Sequence, residues 1–298
     1  MSKVNFITAI GTPLTDDEQL HTEGLGIQLQ DQWNHRIGGI LVAGTMGMMQ
    51  LLTDETYRRL VETSVNVSKG RGEVLVGVGD AGFARSRDRI RFLNDFPIDG
   101  VAVLAPYFMN FSQAQMIEYF CALADESRAP LYLYDIPRLV GVALETETIV
   151  ELAKHPNING IKCSGPLWMT RRWLDMLGDS FRIIIADVYS IDMLVRHGVP
   201  ELLDGMWAAA PGWTVGVADC SSEEDWAGAT ENTRKVSSLK DTLLVNGFGA
   251  FTVWMNARGI PGNFAPRPFT KITGEQHEKL LADPIVQQLI KEDPVKLD

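Results

Sequence analysis

Residues 131–137 read Leu-Tyr-Leu-Tyr-Asp-Ile-Pro and residues 158–162 read Ile-Asn-Gly-Ile-Lys. Both are short apolar runs without polar alternation, the pattern of strands buried on both faces, and both end on a reactive polar side chain. The same kind of run recurs outward from this pair, at Phe6–Ile10, Gly39–Ala43, Val74–Val78, Gly100–Leu104, Phe181–Ile185 and Leu203–Ala208. Segments of helical period lie between them, for example Glu55–Val67 and Gln113–Asp125. Strand and helix therefore alternate at intervals of roughly 22 to 35 residues, as parallel strands with crossover helices require. An open doubly wound sheet and a closed barrel both satisfy that alternation, and the count of eight strands favours the α/β (β/α)8 TIM barrel. Beyond about residue 210 the strand signal stops. Ser222–Asn246, Phe251–Arg258 and Glu275–Lys291 read as helices, which makes residues 1–210 the barrel and residues 211–298 a C-terminal helical extension.

The 298 residues carry 27 Lys and Arg against 38 Asp and Glu, a net charge of −11. Such a surface repels phosphate backbones and anionic bilayers, so neither nucleic acid nor membrane is expected as a partner. The longest apolar stretches are about eight residues, short of the roughly 18 to 20 needed to span a bilayer, and the N-terminus does not read as a signal peptide. Cys121, Cys163 and Cys220 are few, odd in number and far apart, which suits a reducing cytoplasm better than a disulfide framework. His21, His35, His155, His197 and His277 show no clustering on a helix face or strand end, so no metal is expected. Gly77-Val-Gly79-Asp-Ala-Gly82 matches a dinucleotide fingerprint, with Asp99 near the ribose-binding offset. The match falls in the third strand-helix unit instead of the first, and reads as turn glycines.

Lys162 ends a strand at the C-terminal mouth, where barrel enzymes assemble their sites. Partial burial there disfavours an ammonium and suits an amine that attacks a ketone to form a Schiff base, whereas a rim lysine would only lay its stem on the barrel edge. Tyr134 ends the neighbouring strand, so its phenol is expected near Lys162, either to move protons or as a core tyrosine bonded to backbone. Gly44-Thr45-Met46-Gly47 closes the second strand with backbone amides and a hydroxyl suited to a carboxylate.

Together these segments resemble the dihydrodipicolinate synthase / N-acetylneuraminate lyase family of Schiff-base-forming, pyruvate-dependent class I aldolases. The resemblance rests on Gly11-Thr12-Pro13, on Gly44–Gly47 against Gly-Thr/Ser-Thr-Gly-Glu, on Tyr134-Asp135-Ile136-Pro137 against Tyr-Asn-x-Pro, and on Gly160-Ile161-Lys162 against Gly-x-Lys. Ala105-Pro106-Tyr107 and Arg267-Pro268-Phe269 extend it over almost the whole chain. It implies that Lys162 forms an iminium with a 2-oxo acid, that Tyr134 transfers protons, and that Thr45 with Met46, between Gly44 and Gly47, holds the carboxylate. It further implies a small-molecule 2-oxo acid and an aldehyde as reactants, no cofactor, and a homo-oligomer, tetramer or dimer.

Departures from the pattern bear on which substrate is used. Met46 and Met48 replace a hydroxyl and a carboxylate, and Phe108 after Tyr107 stands where the synthases have a second tyrosine. The arginine expected for an aldehyde's carboxylate is displaced by one position, Arg138 preceding Leu139. Gly205-Met206-Trp207-Ala208 places an indole in the eighth strand, either at the bound keto acid or turned toward the helices. The expected activity is therefore cleavage or condensation of a 2-oxo acid. A 2-oxo-3-deoxy sugar acid dehydratase and dihydrodipicolinate synthase itself are alternatives within the class, and a catalytically silent 2-oxo acid-binding barrel is the alternative outside it.

Overall fold

The computed structural model describes residues 4–178 and 180–297. The eight strands are β1 (Asn5–Ala9), β2 (Gly39–Val42), β3 (Glu73–Gly77), β4 (Gly100–Leu104), β5 (Leu131–Asp135), β6 (Ile158–Cys163), β7 (Arg182–Ile185) and β8 (Glu201–Asp204). They follow one another in chain order around a closed barrel, and the registered pairs are parallel. Their Val, Ile and Leu side chains are buried on both faces, which is why the apolar runs lack polar alternation.

The helices are α1 (Thr22–Asn34), α2 (Asp54–Ser68), α3 (Phe83–Leu93), α4 (Gln113–Glu126), α5 (Pro137–Val140), α6 (Thr146–Leu152), α7 (Leu167–Leu177), α8 (Ile191–Arg196), α9 (Pro211–Ser222), α10 (Trp226–Asn246), α11 (Gly249–Arg258), α12 (Gly274–Leu281) and α13 (Pro284–Glu292). Local sequence sets several of their starts. Thr53 caps α2 through the Thr56 N–H, and Ser112 with Gln115 forms a reciprocal capping box on α4.

Three sequence expectations need correction. The eighth strand runs over Glu201–Asp204, not Leu203–Ala208, because Met206–Ala208 turns into a short 3-10 helix whose start is fixed by the Met206 N–H on Asp204 Oδ1 at 2.9 Å. The helix expected over Ser222–Asn246 starts only at Trp226, since α9, which was not expected, closes at Ser222 and Asp225 caps α10 through the Gly228 N–H. The helix expected over Glu275–Lys291 is two, because Asp283-Pro284 ends one segment and starts the next: proline lacks the N–H an interior position needs, and Asp283 accepts from the Ile285 N–H.

The chain forms two compact units, one of residues up to Gly72 together with those from Asp187, the other Glu73–Ala186. The first holds β8, β1, β2 and the C-terminal helices. Thr8 donates to Gln32 Oε1 of α1 at 2.8 Å, so Thr8 and, two residues earlier, Phe6 face the helical layer. A buried ionic cluster ties the C-terminal segment to this unit. Arg258 Nη2 lies 3.0 Å from Asp31 and 3.3 Å from Asp293, and His35 Nδ1 lies 3.0 Å from Asp31. Asp293 also accepts from the Trp213 N–H at the start of α9. Burial drives the Asp293 carboxyl up, while the His35 hydrogen bond and the Arg258 charge outweigh desolvation at Asp31 and hold it low.

The second unit holds β3 to β7. At the N-terminal ends of its strands Arg182 is clamped on Glu73 and donates to the Tyr132 hydroxyl at 3.2 Å, closing the end of the barrel away from the chemistry. Gly79 lies where a Cβ would come within 2.3 Å of Leu104, and Asp99 accepts the Val74 N–H at 2.8 Å. Close packing thus accounts for Gly79, and a backbone bond for Asp99.

Arg258→Met is expected to lower stability by roughly 3–5 kcal/mol in urea unfolding, because it leaves Asp31 and Asp293 buried without their cation.

Candidate active site

The parallel register pairs Tyr134 with Lys162 and Asp135 with Cys163 across β5 and β6. Residues paired in register share a face of the sheet, so the phenol and the amine are neighbours by construction. Lys162 is only 5 % exposed and Tyr134 only 3 %. The ammonium nitrogen sits 3.9 Å from the centroid of the Tyr134 ring and donates to Ser164 Oγ at 3.1 Å. Ser164 is itself held by its N–H on the Asp135 carbonyl at 2.9 Å. Sequence reading passed over Ser164; its signal was the Lys-x-Ser spacing at a strand end, which carries a side chain back to the face of the lysine.

Asp135 is 1 % exposed. Its Oδ1 accepts the Leu144 N–H at 3.2 Å, and its Oδ2 faces Gly165. Burial pushes this carboxyl up to about 6, against the opposing pull of the Leu144 bond and the Lys162 charge. Cys163 is buried too, its thiol donates to the Ile184 carbonyl at 3.4 Å, and desolvation pushes it up to about 12, so it stays a neutral thiol.

At the end of β4, Tyr107 is half-buried and its phenol is pushed up by burial and then by the Asp80 charge. Asp80 holds Arg85 at 2.7 Å and Arg89 at 3.3 Å. Phe108 is 91 % exposed with φ of +79°, and Arg138, on α5, is exposed as well. A bulky residue in the left-handed region is strained by about 1–3 kcal/mol.

In the other unit, the Gly44–Gly47 turn follows Ala43 at φ +52° and precedes Met48 at φ +55°. Thr12 donates to the Gly47 carbonyl at 2.6 Å, and Gln28 brackets Gly11 through both its N–H and its carbonyl at 2.9 Å. Gly47 lies 3.1 Å, measured from an added Cβ, from the Ile10 carbonyl, so the Gly11-Thr12-Pro13 segment and this turn are locked together. Thr45 is half-buried and Met46 is buried against Gly205, where a Cβ would meet the Met46 side chain at 2.7 Å. Trp207 does not serve a ligand. It is fully buried, edge-on to Phe6 at 5.1 Å, and Phe6 faces the helices, so the indole points out of the barrel. The expected substrate contact at Trp207 is withdrawn for that reason. Among the described residues no group of three or more His, Cys, Asp or Glu side chains is arranged to hold a metal ion, and no helix is long and apolar enough to cross a membrane.

An eight-stranded parallel barrel with a buried lysine and a tyrosine paired at its strand ends defines the equipment of a Schiff-base lyase. The family model of the dihydrodipicolinate synthetase family matches residues 3–288, and the chain belongs to that family. It is 30 % identical over 213 residues to a 4-hydroxy-tetrahydrodipicolinate synthase of Exiguobacterium sp., covering 71 % of this chain and 73 % of the relative. Among solved structures, a catalytic lysine mutant of the Ruminococcus gnavus sialic acid aldolase aligns with a TM-score of 0.90 at 18 % identity, over 98 % of this chain and 96 % of that one. The dihydrodipicolinate synthase of Aquifex aeolicus aligns at 0.87 and 23 %, over 98 % and 99 %. At these identities the structural likeness is one of fold.

The pKa of Asp135 in the folded state lies above its unfolded value of 3.8, so its contribution to stability is full below 3.8 and is lost as pH rises through about 6. Asp135→Asn, which keeps an acceptor for the Leu144 N–H, is expected to raise the melting temperature at pH 8 and to leave it nearly unchanged at pH 4, as followed by circular dichroism.

Proposed function

We propose that the chain is a class I aldolase or lyase that cleaves or condenses a 2-oxo acid, pyruvate being donor or product, through a Schiff base on Lys162. The observation that carries this reading is Lys162, a buried residue whose nitrogen lies 3.9 Å from the centroid of the Tyr134 ring at paired strand ends. An amine at this address is placed to attack a ketone, and the iminium that forms draws electrons from the adjoining carbon-carbon bond. Tyr134 supplies the hydroxyl that moves protons as the carbinolamine loses water. The carboxylate is assigned to the Gly44–Gly47 turn, through Thr45 and the Met46 amide; family membership and the backbone donors of that turn support this assignment. Family membership likewise supports a cytoplasmic homo-oligomer. Met46 in place of a hydroxyl residue makes this part of the rim apolar.

Incubation with pyruvate and borohydride, followed by intact mass and peptide mapping, is expected to place one reduced pyruvate on Lys162. Lys162→Ala should abolish both adduct and turnover, and full activity in that variant would overturn the mechanism. Tyr134→Phe should slow turnover by about 10² to 10⁴, the usual contribution of one general acid-base; a change below about twofold would remove Tyr134 from its role. Binding of pyruvate without an adduct or turnover would instead support the silent 2-oxo acid-binding barrel.

A further inference from the structure

The Gly44–Gly47 turn is entered through Ala43 at φ +52° and left through Met48 at φ +55°, two residues with side chains in the left-handed region. Such backbone is strained and persists only where its surroundings over-determine it. The bonds inside the turn are few. The Met48 N–H reaches the Thr45 carbonyl at 3.1 Å, and the Met49 N–H lies 3.5 Å from the Gly44 carbonyl, long for a backbone bond. A shorter bond comes from outside, where the fully buried Thr12 hydroxyl donates to the Gly47 carbonyl at 2.6 Å. Thr12 is fixed in its turn through Gly11. Gln28 of α1, also fully buried, accepts the Gly11 N–H and donates to the Gly11 carbonyl, both at 2.9 Å. Phe264 and Phe251 press on the same glycine, where a Cβ would come within 2.7 and 2.9 Å of their rings. A line of restraint thus runs from α1 through Gly11 and Thr12 to the exit of the turn. Within the turn the N–H of Met46, a buried residue, has no acceptor among the described residues. A bound acceptor is what completes an unpaired buried donor.

We propose that Thr12 is a positioning residue for the carboxylate of the 2-oxo acid: by holding the Gly47 carbonyl it keeps the strained turn in the form that presents the Met46 N–H, and Gln28 holds Thr12 through Gly11. The inference rests on the reading that this turn takes the carboxylate of a 2-oxo acid joined to Lys162. The hydroxyl hydrogen of Thr12 is committed to Gly47, so Thr12 acts through the turn and not on the ligand. A turn ordered before the ligand arrives adds no ordering cost to binding. Without the Thr12 bond the left-handed residues relax, and the ligand has to restore the turn out of its own binding energy. The loss therefore falls on affinity for the carboxylate. The amine on β6, outside this line of bonds, keeps its reactivity once the site is full.

Thr12→Val keeps the branched shape and removes the donor. In the borohydride assay it is expected to raise half-saturating pyruvate by about three- to tenfold, the net worth of one hydrogen bond, and to leave the labelling of Lys162 at saturating pyruvate unchanged. Thr12→Ser restores the donor and should bring half-saturation back to the wild-type value. Acetone presents the same ketone without a carboxyl, and its half-saturating concentration should be the same in Thr12→Val as in wild type. Gln28→Met removes both bonds to Gly11 at matched length and should shift pyruvate in the same direction. It carries the test if circular dichroism shows that Thr12→Val does not fold, and an unshifted, folded Gln28→Met then overturns the proposal. A folded Thr12→Val overturns it by a pyruvate shift below about threefold, by an equal shift for acetone, or by a loss of labelling at saturation without a shift in half-saturation. Failure of Thr12→Ser to recover does the same. Each of these results, with wild-type Lys162 still labelled by pyruvate, leaves the Schiff-base reading intact. Wild-type protein that forms no pyruvate adduct removes both.

Discussion

Everything at the site depends on the pairing of β5 with β6. A parallel ladder fixes which residues stand side by side, and the register that opposes Tyr134 to Lys162 puts an aromatic face against an amine without any loop having to be placed. The next pair in the same register, Asp135 and Cys163, faces the other way and packs under the site. A slip of β6 by one residue would turn the amine to the opposite face of the sheet from Tyr134. The bulge between Leu131 and Tyr132 is where this register is set, and it lies at the far end of the strand from the chemistry.

That division of labour runs along the whole strand axis. At the N-terminal ends Arg182 is bound to both Glu73 and Tyr132. At the C-terminal ends several groups are held from behind: Ser164 by the Asp135 carbonyl, Asp135 by Leu144, and Gly47 by Thr12.

Much of this was legible in the residues. Seven strands fall within a residue or two of the apolar runs, because strands buried on both faces need no interpretation of phase. The eighth was read too late, since Leu203, Met206 and Ala208 are as apolar as a strand and nothing in the composition marks Asp204 as the acceptor that turns the chain. The two overlong helices failed for a related reason, as capping by Asp225 and Asp283 is a local signal that helical periodicity overrides on paper but not in the chain. Lys162 and Tyr134 were found because a strand end is both a sequence boundary and a spatial address. Trp207 was not placed, because its direction is decided by Phe6, some two hundred residues away, and Ser164 was missed because its value lies in the bond it accepts from Lys162.

The contact between Met46 and Gly205 has a consequence for how this chain could diverge. Because the thioether fills the space that any side chain at position 205 would need, the two positions behave as a lock and its keyhole. A smaller residue at 46 frees a hollow next to β8, and only then does anything larger than hydrogen become tolerable at 205. A change at both positions would have to begin at 46, with the glycine following, and the reverse order would meet a steric dead end.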